Sequence, residues 1–294
     1  MRILILGASG MLGKALTKNL SQCHEVVTLG RTPCEHSLND VTIDIEKEEF
    51  ILFLKKNYFD VIINCVAIID HNFCKKNTLE ALKINSLINK RLIENIKKSS
   101  KIIYISSDAV FSDDIKQRLP ITPTAAQSYY GLSKELGEKI LISNGENCNF
   151  IIIRTTIVGF SPKGKGFVNW IVNSLKNNNN INLFNDVFFN PITIWCLSDE
   201  IKFLLESEIS TNKIVHINGL ENISKYTFGV NLAKKLDLDL SLISQGELSK
   251  FSSSHNRCFN QVLEVESYES DFNRKLPNFS QTIDKIKTHY DEYD

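Results

Sequence analysis

Short apolar runs alternate with longer helical patterns along the first half of the chain. Arg2 to Leu6 is an apolar run that ends at a glycine, and Glu25 to Leu29 is a second such run. Between them, Met11 to Leu20 has apolar residues at helical spacing. This order predicts a strand, a helix and a strand, which together form one βαβ unit.

The same alternation continues to about residue 158. Strands rich in Val and Ile are predicted at Val61 to Asn64, Lys101 to Ser106 and Phe150 to Arg154, with helices at Thr78 to Lys98 and Tyr129 to Ile142. Continuous apolar strands that alternate with helices are typical of a parallel sheet covered on both faces. The right-handed crossover rule then predicts an α/β fold with a doubly wound parallel sheet of the Rossmann type.

After residue 158 the pattern becomes mixed. Residues 161–166 and 177–180 have the composition of a loop and a turn. Further elements are predicted at Ile181 to Phe184 (strand), Leu197 to Glu206 (helix), Lys213 to Asn218 (strand), Ser224 to Leu236 (helix) and Gly246 to Asn256 (flexible loop). We therefore predict a dinucleotide-binding domain over 1–158, to which 186–218 returns, and a smaller mixed α/β substrate-binding region over 159–294.

The composition gives no sign of a nucleic-acid or membrane partner. The 294 residues include 34 Lys plus Arg and 34 Asp plus Glu, so the formal charge is zero and nothing global attracts nucleic acid or an anionic membrane. The amino-terminal run Ile3 to Leu6 is too short for a signal-peptide core. These features predict a cytoplasmic protein whose specificity comes from a local site.

Cysteine and histidine spacing predicts no metal site. The seven cysteines form no Cys-x-x-Cys pair, and a chain of this length needs no disulfide staples. His71 lies three residues before Cys74, and we interpret it as a loop residue and not as half of a zinc site.

A glycine-rich turn follows the first strand. Gly7, Gly10 and Gly13 have the spacing G-x-x-G-x-x-G, slightly wider than the ordinary dinucleotide fingerprint. Glycines there permit a tight bend and a close approach of the backbone to a pyrophosphate, which faces the amino terminus of the next helix. The predicted cofactor contacts in this stretch are Gly7, Ser9, Gly10, Met11 and Gly13.

The end of the second strand bears on which nicotinamide cofactor is bound. An acidic residue that would hold an adenosine 2'-hydroxyl is missing there, and Arg31 offers a guanidinium instead. A guanidinium fits a phosphate well, so the sequence favours NADPH, with NADH as the alternative.

A phenol and an ammonium are predicted on one helix face. Tyr130 and Lys134 are four residues apart, so the lysine charge is expected to favour the ionised phenol and lower its pKa. Ser107 follows the strand that begins at Lys101, at the edge where open α/β sheets bind ligands. A hydroxyl there is placed to hold a carbonyl oxygen against Tyr130. This set predicts hydride chemistry on a nicotinamide cofactor.

These motifs resemble the extended short-chain dehydrogenase/reductase superfamily and, within it, the dTDP-4-dehydrorhamnose reductase family. The resemblance spans nearly the whole chain. The most specific part is Tyr-Gly-x-x-Lys-x-x-Gly-Glu at 130–138. The other parts are 7–13, Asp44-Ile45, the stretch 60–67, Asn85, 106–111 and Arg154-Thr155-Thr156.

The resemblance implies roles for these residues. Ser107, Tyr130 and Lys134 would form the catalytic triad, and Asn85 would support the lysine. The further cofactor contacts it implies are Asp44, Ile45, Cys65, Val66, Ala67 and Asn85, and the substrate contacts are Asp108, Phe167 and Arg257. The implied reaction is reduction of a keto group at C4 of a nucleotide-linked deoxysugar in polysaccharide biosynthesis, by an enzyme that forms a homodimer.

Departures from the family pattern lie in the substrate half and keep two alternatives open. Ala109 stands where the reductases usually have tyrosine, and Ile157-Val158-Gly159 stands where they have Trp-Val-Tyr. The dehydratases have Asp-Glu where this chain has Asp108-Ala109, which argues against dehydration. One alternative is a sugar-nucleotide epimerase, which returns the hydride to its product. The other is a non-catalytic NADP-binding subunit like the regulatory subunit of methionine adenosyltransferase.

Overall fold

The computed structural model describes residues 1–34, 37–207, 211–250 and 258–292. The helices among them are α1 (Met11–Leu20), α2 (Glu48–Lys56), α3 (His71–Lys76), α4 (Thr78–Leu82), α5 (Ile88–Asn95), α6 (Tyr129–Ser143), α7 (Phe167–Lys176), α8 (Ile194–Glu206), α9 (Lys225–Lys235), α10 (Glu266–Phe272) and α11 (Phe279–Thr288). The strands are β1 (Arg2–Leu6), β2 (Glu25–Gly30), β3 (Asp40–Thr42), β4 (Val61–Asn64), β5 (Lys101–Ile105), β6 (Asn149–Arg154), β7 (Ile157–Val158), β8 (Ile181–Phe184), β9 (Phe188–Phe189), β10 (Ile192–Thr193), β11 (Lys213–His216), β12 (Ile223–Ser224), β13 (Ile243–Gly246) and β14 (Asn260–Gln261).

A seven-stranded sheet organises the first part of the chain. Its strand order is β11-β6-β5-β4-β1-β2-β3, and the pairs from β6 to β3 are parallel. The order reverses between β1 and β4, which is where open α/β sheets bind their ligands. The predicted α/β fold with a doubly wound parallel sheet is confirmed.

The strands form where the sequence is continuously apolar, because both faces of the sheet are covered. Ile3 to Leu6 and Ile62 to Ile63 are completely buried, as are Ile102 and Ile103 on β5. Leu4, Leu6, Ile62 and Ile102 belong to one core cluster with Phe50 and Leu54 of α2 and Leu92 of α5. Burial of β-branched and leucine side chains on this scale is the main force that holds the sheet.

The chain divides into two compact units. Unit 1 comprises 1–111, 123–154 and 198–215, and unit 2 comprises 112–122, 155–197 and 216–294. Unit 2 contains β7 paired with β10, β13 paired with β8, and a three-stranded sheet of order β12-β9-β14. Its core is formed by apolar residues of α7, α9 and α11, including Ile171, Phe228 and Ile286.

Several predicted elements differ from those observed. The helix predicted from Thr78 to Lys98 is interrupted, since a π-helical turn at Lys83–Leu87 separates α4 from α5. The helix predicted from Leu197 to Glu206 begins earlier, at Ile194. The loop predicted from Gly246 to Asn256 contains a 3₁₀ turn, Leu248–Lys250, and residues 251–256 lie outside the described residues. Over the described residues, no helix combines the length and apolar character needed to cross a bilayer.

Candidate active site

The glycine-rich turn brings backbone, and not side chains, to the carboxyl end of β1. Gly7 has a φ of 78°, which is the left-handed region, and its N–H donates to the Leu29 carbonyl at 2.9 Å. A Cβ on Gly13 would overlap the Gly7 carbonyl. Gly10 precedes α1 and supplies no capping side chain, so Met11 and the next residues begin the helix with their N–H groups unpaired by a cap. This turn has the properties of an anion-binding helix terminus.

Two further segments lie beside the glycine turn. The Thr32 hydroxyl donates to the Ser9 hydroxyl at 2.8 Å, which holds the end of β2 against the turn, and Arg31 is exposed beside it. Asp44 accepts from the Glu46 N–H at 3.0 Å, and the buried Ile45 accepts from Arg91 through its carbonyl at 2.9 Å. Both segments belong to unit 1.

The segment after β4 continues the same edge of the sheet. The Cys65 N–H donates to the Leu6 carbonyl at 3.1 Å, and the Val66 N–H donates to the Asn64 side chain at 3.1 Å. A Cβ on Gly7 would lie 3.2 Å from the backbone of both Cys65 and Val66. Cys65, Val66 and Ala67 are partly buried here, next to the glycine turn.

Asn85 lies at the centre of the π-helical turn and is completely buried. Its amide oxygen accepts from the Ile68 N–H at 2.7 Å, and its amide nitrogen donates to the Ile68 carbonyl at 2.9 Å and the Ser133 hydroxyl at 2.8 Å. The Ser133 hydroxyl donates in turn to the Tyr130 carbonyl at 2.6 Å. Asn85 therefore ties the segment after β4 to the helix that bears Tyr130 and Lys134. Single π-turns of this kind are frequent at functional sites.

Ser107 and Asp108 lie directly after β5 and are both buried. The Ser107 hydroxyl donates to the Asp108 carboxylate at 2.9 Å and accepts from the Ala109 N–H at 3.2 Å. Tyr130 is in the first turn of α6, which is capped by the Ser128 hydroxyl at 3.0 Å from the Gly131 nitrogen. Ser107 affects the pKa of the Tyr130 phenol through a hydrogen bond, and Asp108 affects it through its charge. The structure therefore brings these three side chains together.

Lys134 is 1% exposed, one helical turn after Tyr130. Its ammonium lies 4.0 Å from the centroid of the Tyr104 ring, and the Glu138 carboxylate and the Cys65 thiol are its charged or titratable neighbours. Because Cys65 also adjoins Gly7, the lysine is connected to the glycine turn through one residue.

The expected effect of Lys134 on Tyr130 is wrong for this structure. Burial raises the pKa of Tyr130; a hydrogen bond with Ser107 opposes this rise, and the negative Asp108 adds to it. Burial also lowers the pKa of Lys134 to about 7, against the opposing effect of Glu138. The phenol is therefore protonated at neutral pH, and the lysine titrates near neutrality. Sequence spacing placed the two residues on one helix, but burial is the largest cause of both pKa shifts, and neither residue is among the groups that shift the pKa of the other.

The remaining predicted residues lie elsewhere. Phe167 begins α7 in unit 2, where its ring packs 5.5 Å from that of Phe228. Arg257 lies outside the described residues. His71 is the first residue of α3 and not a loop residue, and its exposed ring lies 5.2 Å from the Tyr130 ring. Among the described residues, no group of three or more His, Cys, Asp or Glu side chains is arranged to hold a metal ion.

Two neighbours of the site were missed by the sequence reasoning. Tyr104 is a tyrosine in a strand that is otherwise lysine and isoleucine, and a buried hydroxyl in such a strand must find a partner. That signal was available in the sequence. His71 carried no comparable signal, because its contact with Tyr130 depends on how α3 packs against α6.

The doubly wound parallel sheet and the glycine turn at the carboxyl end of β1 define an α/β protein of the Rossmann type. The RmlD substrate binding domain family model matches residues 1–292. The chain belongs to this family.

Named relatives agree with this assignment. The chain is 25% identical to dTDP-4-dehydrorhamnose reductase of Aggregatibacter actinomycetemcomitans, over 98% of this chain and 99% of that protein. It is 22% identical to spore coat polysaccharide biosynthesis protein SpsK of Bacillus subtilis, over 83% and 82%. The crystal structure of dTDP-4-dehydrorhamnose reductase from Bacillus anthracis in complex with NADP has a TM-score of 0.84 at 19% identity, over 98% and 99% of the two chains.

Proposed function

We propose that this protein is an NADPH-dependent reductase that converts a keto group at C4 of a nucleotide-linked deoxysugar into a hydroxyl group. The observation that carries the proposal is the cluster of Ser107, Tyr130 and Lys134 at the carboxyl edge of the sheet, connected to the glycine turn through Cys65. The names of the relatives support a sugar-nucleotide substrate and a role in polysaccharide biosynthesis.

The residues around the turn fit a dinucleotide. Gly7 and Gly13 leave room for a close backbone approach, and the start of α1 offers N–H groups with no side-chain cap. Exposed Arg31 is available for a 2'-phosphate. We propose that the cofactor contacts are Gly7, Ser9, Gly10, Met11, Gly13, Arg31, Asp44, Ile45, Cys65, Val66, Ala67 and Asn85, together with Tyr130 and Lys134.

The proposed mechanism assigns a task to each residue. When bound, NADPH supplies a hydride to the carbonyl carbon. The Ser107 hydroxyl, which donates to Asp108 in this structure, turns its hydrogen to the carbonyl oxygen and stabilises the charge that develops there. Tyr130, protonated because burial raises its pKa, donates its proton to that oxygen as the alkoxide forms. Lys134 holds the ribose, and Asn85 keeps the segments that carry Lys134 and Ile68 in place.

Purified protein, NADPH and a panel of 4-keto nucleotide sugars test this proposal. We expect stoichiometric loss of NADPH absorbance and a product two hydrogens heavier than the substrate. Tyr130→Phe should lower kcat about a hundredfold or more while NADPH binding persists. Turnover without net NADPH loss would identify an epimerase. Copurification with a partner enzyme, and no turnover on any member of the panel, would identify the regulatory subunit.

Substrate contacts, location and assembly are further proposals. We propose Asp108, Phe167 and Arg257 as the substrate contacts. We propose unit 2 as the main substrate-binding part of the chain. We place the protein in the cytoplasm, because all seven cysteines are free thiols, as is usual in a reducing compartment.

Exposed apolar side chains on α4, α6 and the π-helical turn support a homodimer: Leu79, Leu87, Tyr129, Leu132 and Leu136. Light scattering of Leu132→Glu against the unmodified chain tests that assembly.

A further inference from the structure

Tyr104 occupies a position that none of the proposed roles explains. It is the fourth of the five residues of β5, near the carboxyl end of the strand, and is completely buried. Its hydroxyl donates to the Asn85 carbonyl at 2.6 Å, and the face of its ring lies 4.0 Å from the Lys134 ammonium. One side chain therefore contacts Lys134, which is proposed to hold the ribose, and Asn85, which is proposed to keep Lys134 in place.

The approach of α6 to Tyr104 depends on a glycine. A Cβ on Gly137 would overlap the Tyr104 hydroxyl and lie 2.9 Å from the Asn85 carbonyl. Gly137 is one turn after Lys134 on the same helix, so its missing side chain lets α6 lie against the ring. The Asn89 amide also donates to the Gly137 carbonyl at 3.0 Å, which holds this part of α6 against α5. The packing of α6 against Tyr104 and α5 therefore holds Lys134 next to the ring.

We propose that Tyr104 is a positioning residue for Lys134, with its ring face stabilising the ammonium form of the lysine and its hydroxyl fixing the π-helical turn at Asn85. The inference rests on the proposed function of Lys134 in the cofactor site. A cation over an aromatic face gains attraction that grows when water is excluded, and Tyr104 and Lys134 are both almost completely buried.

Burial otherwise works against the charge on Lys134. It lowers the pKa of the lysine to about 7. The charged or titratable groups around this part of α6 are Glu138 on the same helix, Cys65 after β4, Tyr104 on β5, and Asp108, His71 and Cys74 near Tyr130. Of these, Glu138 is shared with Arg154, whose guanidinium bonds it at 2.7 Å. The Tyr104 ring is therefore the neutral group that favours the ammonium without requiring a second buried charge.

The test separates the ring from the hydroxyl. The dissociation constant of NADPH is measured by fluorescence titration from about pH 6 to about pH 9, in the unmodified protein and in Tyr104→Phe, Tyr104→Leu, Tyr104→Met, Lys134→Met and Phe50→Leu. Phe50 is the control, since it is a completely buried aromatic residue of the same unit core on α2. Circular dichroism and thermal midpoints check that each variant is folded.

We expect NADPH binding to weaken as pH rises in the unmodified protein, and Lys134→Met to lose this dependence. Tyr104→Leu and Tyr104→Met should shift the dependence to lower pH by roughly half to one unit and weaken binding about threefold to tenfold near pH 8. Tyr104→Phe, which keeps the ring, should retain the unmodified pH dependence, as should Phe50→Leu.

Different failures have different meanings. If the unmodified protein does not bind NADPH at any pH, the proposed function falls, and this inference with it. If that protein binds NADPH and Lys134→Met removes the pH dependence, but Tyr104→Leu and Tyr104→Met behave like Phe50→Leu, Tyr104 has no positioning role and the proposed function stands. If Tyr104→Phe shifts the dependence as far as Tyr104→Leu does, the ring is not the stabilising group.

Discussion

Arg154 and Glu138 form an ion pair in which both side chains are almost completely buried. The Arg154 guanidinium donates to the Glu138 carboxylate from Nε at 3.0 Å and from Nη2 at 2.7 Å, and the Ser106 hydroxyl donates to the same carboxylate at 2.5 Å. The pair joins β6 to α6 one turn beyond Lys134. Its Glu138 member is thus a structural link and a source of negative charge for the cofactor side of the site.

Replacing only Arg154 should lower the free energy of unfolding more than replacing Arg154 and Glu138 together with uncharged residues. Arg154→Met leaves Glu138 buried without its cation, and we expect a loss of about 3–5 kcal/mol in the free energy of unfolding. Adding Glu138→Gln to that variant should recover part of the loss, because the stranded charge is removed. Urea unfolding of both single variants and the double variant measures the coupling. Equal stabilities for Arg154→Met and the double variant would show that Glu138 is not destabilised by losing its partner.

Lys134 should make the protein less stable at acidic than at basic pH. Its pKa is about 7 in the folded state and lies at its ordinary higher value in the unfolded state, so the unfolded chain binds more protons between these values. Stability therefore rises with pH across this window, and below about pH 7 the penalty is present in full. Lys134→Met removes the penalty.

The comparison of Lys134→Met with the unmodified chain should be made at two pH values. At about pH 6 we expect the variant to be more stable, and by about pH 9 the difference should shrink by roughly 2 kcal/mol. Urea unfolding at each pH gives the two differences. A difference that stays constant with pH would show that the lysine is charged in the folded protein throughout the range.

The sequence predicted the sheet well because its strands are continuous apolar runs. Arg2–Leu6 and Val61–Asn64 have the predicted bounds. A strand buried on both faces leaves a strong local signal. The π-helical turn at Asn85 has no such signal, because an extra residue in a helical turn is imposed by the contacts of the Asn85 amide with Ile68 and Ser133.

The sequence predicted which residues form the site better than it predicted their protonation states and contacts. The spacing of Tyr130 and Lys134 placed both on one helix, but the direction of the Tyr130 pKa shift depends on how much water reaches the phenol. Likewise, the contact between Lys134 and Tyr104 joins α6 to β5, and no local pattern reports a distance between two elements. Spacing along the chain therefore predicts which residues share a helix, whereas burial decides their protonation.

Gly131 should not tolerate a side chain, although it directly follows Tyr130 in a helix. A Cβ there would overlap the Ala109 carbonyl oxygen, which is backbone and moves only with the turn that holds Ser107. We expect Gly131→Ala to destabilise the protein by about 1–3 kcal/mol. Gly145→Ala is the matched control, because the nearest atom to its Cβ would be the Asn212 side-chain nitrogen at 3.4 Å. Urea midpoints of the two variants that fall together would contradict the close packing of α6 on this turn.

Arg31 should set the preference between the two nicotinamide cofactors. It is exposed directly after β2, next to Thr32, whose hydroxyl contacts Ser9 in the glycine turn, and we propose it as the residue that meets the 2'-phosphate. A phosphate that loses a charge-assisted hydrogen bond loses about 1.5–3 kcal/mol of binding free energy, whereas a 2'-hydroxyl loses little. Arg31→Ala should therefore raise the KM for NADPH roughly tenfold or more and leave the KM for NADH within about twofold. Arg31→Lys keeps the charge but not the bidentate geometry, so its KM for NADPH should fall between those of the other two proteins. Initial rates with each cofactor at saturating substrate give these values, and equal changes for NADPH and NADH in Arg31→Ala would remove Arg31 from the phosphate site.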